Sequence, residues 1–168
     1  MYYRRGDKMK IGLANYHRGY PLKEKIKNYL LKKGYEVIDY GTSSLESVDY
    51  TDYAFRIGEA VVKKEVDYGI VICGTGIGIS IACNKVIGIR CAKVDTVRQA
   101  RLTRLDNDAN ILSLDGSISK FRALDIVDAF LKTEYSNLDK HNRRLEKIKK
   151  YEKNHKRTLT KEEEVNGS

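Results

Sequence analysis

Gly69-Ile-Val-Ile-Cys-Gly-Thr-Gly-Ile-Gly-Ile-Ser80 is the stretch whose reading decides the fold of this chain. An apolar, β-branched run ends on Cys73, passes through Gly74, Gly76 and Gly78, and opens into residues 77–85, which the spacing predicts as a helix. The order is strand, glycine loop, helix N-terminus, with a thiol at the strand's carboxyl end. Glycines let a ligand approach the backbone closely, and free amides at a helix start favour an anion. A cysteine beside such amides can supply a thiolate near neutral pH. The stretch thus sets a candidate base or nucleophile beside a candidate cradle for an oxyanion or phosphate. Its other reading is a tight turn with a buried cysteine acting as a small hydrophobe.

Two familiar glycine loops do not fit. Walker A requires Gly-x-x-x-x-Gly-Lys-Ser/Thr, and no Lys-Ser or Lys-Thr pair follows these glycines. The dinucleotide fingerprint is G-x-G-x-x-G, whereas the spacing here is G-x-G-x-G, and no clear acidic residue closes the next strand.

Outward from this loop, strand-length apolar runs alternate with helical patterns. Strands are predicted at 10–14, 36–40, 68–72, 89–94 and 110–114. Helices are predicted at 21–33, 50–63, 77–85, 97–105, 119–131 and 140–151. Pro21 suits a first helical turn, Gly34 a stop, and Leu22, Ile26 and Leu30 fall four apart as a buried stripe. This alternation implies an α/β fold: a doubly wound, Rossmann-like sheet of five parallel strands with helices on both faces, plus a C-terminal helix. Ligands of such sheets bind beyond the carboxyl ends of the strands. His17, Cys73 and the 106–108 region are expected at that edge. Residues 1–8 read as an N-terminal extension, 9–150 as one domain including the last helix, and 151–168 as a polar, disordered tail.

With 168 residues the chain suffices for one domain with a substantial core. No apolar run approaches the ~20 residues of a membrane helix. The first eight residues lack an apolar h-region, which argues against a secretory signal. Cys73, Cys83 and Cys91 are odd in number and form no C-x-x-C pair, pointing to reduced thiols in a cytoplasm and away from a zinc site. Cys83 and Cys91 read as buried structural thiols. The net charge is +9, of which +5 lies between Lys140 and Ser168. No aromatic RNA-binding signature or helix-turn-helix accompanies it, so a small anionic substrate or a solvated helix face is favoured over nucleic acid.

Cys73-Gly-Thr-Gly-Ile-Gly-Ile-Ser-Ile-Ala, followed by Asn84-Lys-Val-Ile-Gly-Ile-Arg90, closely resembles the type B ribose-5-phosphate isomerases, whose superfamily includes the two subunits of galactose-6-phosphate isomerase. Gly34-Tyr-Glu-Val-Ile-Asp39, Ser47-Val-Asp-Tyr-Thr-Asp-Tyr53, Asn107-Asp-Ala-Asn-Ile-Leu112 and His141-Asn-Arg-Arg-Leu145 match in family order. The resemblance covers residues 9–150. It implies an aldose–ketose isomerase that acts on a phosphorylated sugar without a cofactor or metal. A base moves a proton between C2 and C1 through an enediolate. By resemblance Cys73 is that base, Thr75 contacts the reacting oxygens, and the amides of Gly74, Gly76 and Gly78 stabilise the enediolate. Tyr16, His17, Tyr50 and Asn107 match substrate contacts, and Lys140, His141 and Arg144 match phosphate-binding positions reached from a second subunit. A homodimer or a dimer of dimers is implied.

Several positions depart from the family pattern. Asp-His-x-Gly after the first strand is Tyr16-His17-Arg18-Gly19 here, and Arg-x-His-Asn is Arg104-Leu105-Asp106-Asn107. Those two changed positions are the ones the family assigns to opening the furanose ring. Ser117 stands where an arginine is expected, and Lys140 where another is; lysine binds phosphate as a point charge without arginine's fork. Three readings follow: a sugar phosphate other than ribose 5-phosphate, including a four-carbon one that needs no ring opening; transfer of the ring acid–base role to Asp106 or His17; or one subunit of a hetero-oligomeric isomerase, or a weakly catalytic sugar-phosphate-binding relative. An active isomerase is favoured because Cys73, Thr75 and all three loop glycines are present.

Overall fold

Strand and helix alternate along the chain as the hydrophobic pattern predicts, and every strand pairing is parallel. The computed structural model describes residues 8–43 and 49–166, with side chains to 154. The strands are β1 (Lys10–Asn15), β2 (Glu36–Asp39), β3 (Tyr68–Cys73), β4 (Cys91–Lys93) and β5 (Ile111–Asp115). The helices are α1 (Tyr20–Lys32), α2 (Tyr50–Val62), α3 (Ile77–Cys83), α4 (Val97–Asn107), α5 (Lys120–Lys132) and α6 (Asp139–Asn166). The sheet order is β2-β1-β3-β5-β4. From β1 the chain goes outward to β2 and then crosses back to β3, so the carboxyl ends of β1 and β3 form the switch point where such sheets leave a crevice.

The period of two in β3 sorts its side chains between two cores. Ile70 and Ile72 pack with Leu22, Ile26 and Leu30 of α1, Ala100 of α4, and Ile126 and Phe130 of α5. Val71 and Cys73 face the opposite layer, with Ala54 and Ile57 of α2 and Ile79 and Ala82 of α3. The predicted stripe of α1 is fully engaged. Each such side chain contributes about 1.5–3 kcal/mol on burial, and Ile26→Ala should cost about 2–5 kcal/mol.

Three expectations are corrected. The fourth strand, expected over 89–94, shrinks to Cys91–Lys93 because it is the edge of the sheet. Its free side is partly capped by the Asn84 amide, which donates to Cys91 O at 2.8 Å and accepts from Cys91 N–H at 2.8 Å. Cys91 is therefore half-buried rather than buried. The tail expected to be disordered from residue 151 continues as helix α6 to Asn166. Polarity alone reads as disorder, yet residues 152–166 are rich in Lys and Glu and hold no glycine or proline, a composition that favours a solvated helix. Residues 1–7 of the expected N-terminal extension, and 44–48 of the polar turn after β2, lie outside the described residues. Among the described residues no helix is long and apolar enough to cross a membrane.

Candidate active site

Cys73 closes β3 and is almost wholly buried, at 6% exposure. The chain then turns so sharply that the Gly76 N–H donates to Cys73 Sγ at 3.1 Å. Gly76 holds a φ of +74°, and a Cβ there would stand 2.9 Å from the carbonyl of Leu114, so glycine is required. Strand β5 clamps the loop from the other side: Ser113 Oγ donates to Gly76 O at 2.6 Å, and Gly116 N–H donates to Cys73 O at 2.7 Å. Thr75 is exposed at the crest, and its Oγ1 accepts the Ile77 N–H at 3.3 Å. A side chain at Gly78 would meet the Tyr50 ring at 2.9 Å, so the missing Cβ lets that ring lie against the start of α3.

The β1 end meets this loop across the switch point. Tyr16 N–H donates to Ile72 O at 2.9 Å, and a single 3-10 turn, His17–Gly19, follows. Gly19 is pressed on β3, where a Cβ would lie 2.6 Å from Ile72 O. Tyr16 and His17 meet at a tilt of 46° with ring centroids 3.7 Å apart, and Tyr16 meets Tyr50 edge-on at 6.3 Å. His17 Nδ1 and Asn15 Oδ1 are buried with no hydrogen-bond partner among the described residues. Asn15, wholly buried, donates from Nδ2 to Tyr16 O and packs its amide against Gly41. Beside Gly41, the buried Lys23 ammonium bonds Asp39 at 2.8 Å and Thr42 O at 3.0 Å. Burial alone would raise the Asp39 carboxyl, but Lys23, the Gly41 N–H and Lys27 together hold it below the ordinary 3.8. The thiols away from this edge differ in chemistry. The neighbouring Cys83 thiol and burial push Cys91 well up, which keeps it protonated.

Sequence reasoning expected the 106–108 region at this same edge, and in one chain it is not there. Helix α4 runs antiparallel to the strands, so its last residues stand beside the start of β3 and β5. Arg104 shows the location: its guanidinium donates to Tyr68 Oη at 2.9 Å, Ala109 O at 2.6 Å and Asp108 Oδ1 at 2.7 Å. Tyr68 is the first residue of β3 and Cys73 the last. At about 3.3 Å per residue the two edges are about 16 Å apart. Asp106, Asn107 and the first turns of α6 therefore form a second cluster at the amino edge. His141, 4% exposed, has Nε2 3.6 Å from Asp106 Oδ1 and Nδ1 2.8 Å from Ser136 Oγ. Lys140 and Arg144 stand exposed on the same helix. Asp108 is a structural residue, at φ +44° and held by Arg90 and Arg104.

One chain thus brings together Tyr16, His17, Tyr50, Cys73, Gly74, Thr75, Gly76 and Gly78, and separately Asp106, Asn107, Lys140, His141 and Arg144. Asn15 and Ser113 escaped the sequence reading. Their signal was a polar residue inside, or ending, an apolar strand, where burial demands a partner.

Comparison with known proteins places this geometry. Residues 11–148 match the Ribose/Galactose Isomerase family. Ribose-5-phosphate isomerase B of Escherichia coli is 44% identical over 140 residues, 83% of this chain and 93% of that protein. The structure of Clostridium thermocellum ribose-5-phosphate isomerase B superimposes with a TM-score of 0.85 at 51% identity, covering 88% of this chain and 99% of that one. That of the Mycoplasma genitalium enzyme, solved with bound ribulose-5-phosphate, gives 0.82 at 38% identity, covering 86% and 97%. The chain therefore belongs to the ribose/galactose isomerase family and is a sugar-phosphate isomerase of that family.

Proposed function

We propose that this chain interconverts an aldose phosphate and a ketose phosphate by moving one proton between C2 and C1, with Cys73 as the base. The thiolate takes the C2 proton of the open-chain aldose, an enediolate forms, the O2 hydroxyl proton passes to O1, and the thiol returns its proton to C1. What carries this reading is the 3.1 Å hydrogen bond from Gly76 N–H to Cys73 Sγ, which fixes the sulfur at the end of β3 against the amides of the glycine loop. Thr75 Oγ1 and the loop amides border the same space and serve the enediolate oxygens. Tyr16, His17 and Tyr50 line the sugar. Gel filtration together with deuterium exchange into C1 or C2 tests the step. Cys73→Ala should keep the fold and sugar-phosphate binding and lose both exchange and turnover.

The site is completed by a second copy of the chain. Support comes from the separation of the two clusters, since Asp106 cannot cross about 16 Å of strand to its own Cys73. A two-fold axis sets the carboxyl edge of one chain against the amino edge of the other, twice. Ile77 and Ile81, on α3 next to the Cys73 loop, are 54% and 56% exposed and offer an apolar face for it. In this arrangement the partner supplies Lys140, His141 and Arg144 to the phosphate held on its other side by His17, and Asp106 and Asn107 to the sugar hydroxyls. Asp106 works as a couple with His141, whose imidazole is beside its carboxylate. Cys73, Cys83 and Cys91 are all free thiols, in keeping with a reducing cytoplasm.

The substrate is a sugar phosphate better than ribose 5-phosphate. Tyr16 and Asp106 stand at the ring-opening positions, where a phenol and a carboxylate replace the carboxylate and imidazole of the family pattern. A panel of tetrose, pentose and hexose phosphates decides this. Ribose 5-phosphate turned over with kcat/KM of ~10⁴ M⁻¹s⁻¹ or above would refute it. Tyr16→Asp with Asp106→His should raise activity on ribose 5-phosphate and leave open-chain four-carbon phosphates far less changed.

A further inference from the structure

We infer that Arg18 is a substrate-anion ligand, placing a guanidinium against the phosphate from the same chain that supplies Cys73. The inference rests on reading the Cys73 loop as an isomerase site. Arg18 is the middle residue of the turn after β1, and its side chain is exposed. Its Cδ is 3.5 Å from the point where a Cβ on Gly74 would stand, so the stem crosses the residue next to Cys73. Its carbonyl oxygen is 3.1 Å from the corresponding point on Gly116, so the residue sits where the loops after β1, β3 and β5 converge.

Exposure alone would say nothing, because surface arginines are common. Two features set this one apart. First, it has neither an ion pair nor a hydrogen bond among the described residues, while carboxylates at the same edge serve other groups. Asp115, the register partner of Cys73, accepts at Oδ1 from Ser117 N–H at 2.7 Å and from Ser117 Oγ at 2.6 Å. Asp39 is engaged by Lys23 and Lys27. Second, the neighbouring loop after β5 carries Ser117, whose N–H and Oγ both donate to Asp115, so that loop offers no fork for an anion. Arg18 supplies a fork from the adjacent loop, with its stem laid over a glycine and its head unclaimed. Two parallel N–H donors match a phosphate as lysine cannot. Neighbouring His17, with an unpartnered buried Nδ1, would share that anion.

The test reads Cys73 directly. Wild type and Arg18→Gln are alkylated with iodoacetate and with iodoacetamide, and labelling of the Cys73 peptide is followed by mass spectrometry. The guanidinium should draw the anionic reagent, so the iodoacetate-to-iodoacetamide rate ratio should fall several-fold in Arg18→Gln. Inorganic phosphate should protect Cys73 in wild type, and the concentration needed should rise about tenfold or more in Arg18→Gln. In turnover, KM for the preferred sugar phosphate should rise by a similar factor, with a much smaller fall in kcat. Arg18→Lys should recover the reagent ratio but only part of the phosphate protection. Equal phosphate protection in wild type and Arg18→Gln, or none in wild type, overturns the assignment. Arg18-dependent protection in a protein that isomerises no sugar phosphate leaves the anion site standing and refutes the isomerase reading instead.

Discussion

At the carboxyl edge of the sheet, the groups proposed for chemistry are set by backbone. Gly76 at φ +74°, Gly19 against Ile72 O and Gly78 under Tyr50 aim Cys73, His17 and Tyr50. At the amino edge, side chains hold one another. Arg104 spends its guanidinium on Tyr68, Asp108, Ala109 and Thr133, Arg90 on Asn107 and Asp108, and His141 packs between Ser136 and Asp106. Among the described residues the first edge leaves polar groups unclaimed (Arg18 and His17 Nδ1), while the second satisfies most of its buried ones and leaves Lys140, Asn107 and Arg144 exposed. An unclaimed group beside a thiol is available for a ligand. A satisfied one mainly stabilises the fold. In one chain the cluster proposed for chemistry and the cluster proposed for docking therefore lie at opposite edges of the sheet.

The largest expected effect falls on the carboxyl edge. Cys73→Ala should lower kcat roughly 10²–10⁴-fold, the range of a lost general base, with circular dichroism and melting temperature little changed. Loss of fold together with activity would mean that Cys73 is a packing residue, and the contrast between the edges would weaken.

Next comes the stability of the shoulder that carries Asn15 and Tyr16. Removing the Asp39 charge leaves the buried Lys23 ammonium with only the more exposed Glu24 carboxylate, 3.5 Å away, so Asp39→Asn should cost about 3 kcal/mol at pH 7 in urea unfolding. Asp39 is held below 3.8 in the folded state. Its contribution is therefore complete above 3.8 and disappears as pH falls through the lower folded value. The gap between wild type and variant should close below about pH 4, and a gap unchanged down to pH 2 would remove Asp39 from this role.

A smaller effect is expected from the amino edge. Arg144→Ala should raise KM about ten- to a hundredfold, as for a lost charged hydrogen bond of about 1.5–3 kcal/mol. Stability and alkylation of Cys73 by the neutral iodoacetamide should hardly move, because Arg144 is exposed and its loss removes only charge from the anion site. An unaltered KM would make α6 a solvated helix only.

Most of the fold was legible because it rests on periodicities. Leu22, Ile26 and Leu30 announce α1, and the run Ile70-Val-Ile-Cys73 announces a strand buried on both faces. The Cys73 loop was legible too, since glycine spacing is a backbone property. What escaped needed three dimensions. Asp106 ends a helix that crosses between two parallel strands and so runs antiparallel to them, which carries it to the far edge; its local pattern identifies the helix end and not the edge on which it stands. Arg18 looked like one more basic residue in a loop until its stem was found over Gly74. The helix beyond Tyr151 was missed because polarity was weighed above helix propensity.

The central claim is that each site is built from the carboxyl edge of one chain and the amino edge of another. Cys73→Ala and the double variant Asp106→Asn/Arg144→Ala are purified separately, mixed in equal amounts, exchanged through mild denaturant and assayed below KM. In a mixed dimer one site carries every defect and the other carries none. Random pairing makes half the dimers mixed, so activity should recover to about a quarter of wild type although each parent is nearly inactive. A mixture no more active than the average of its parents would contradict the composite site.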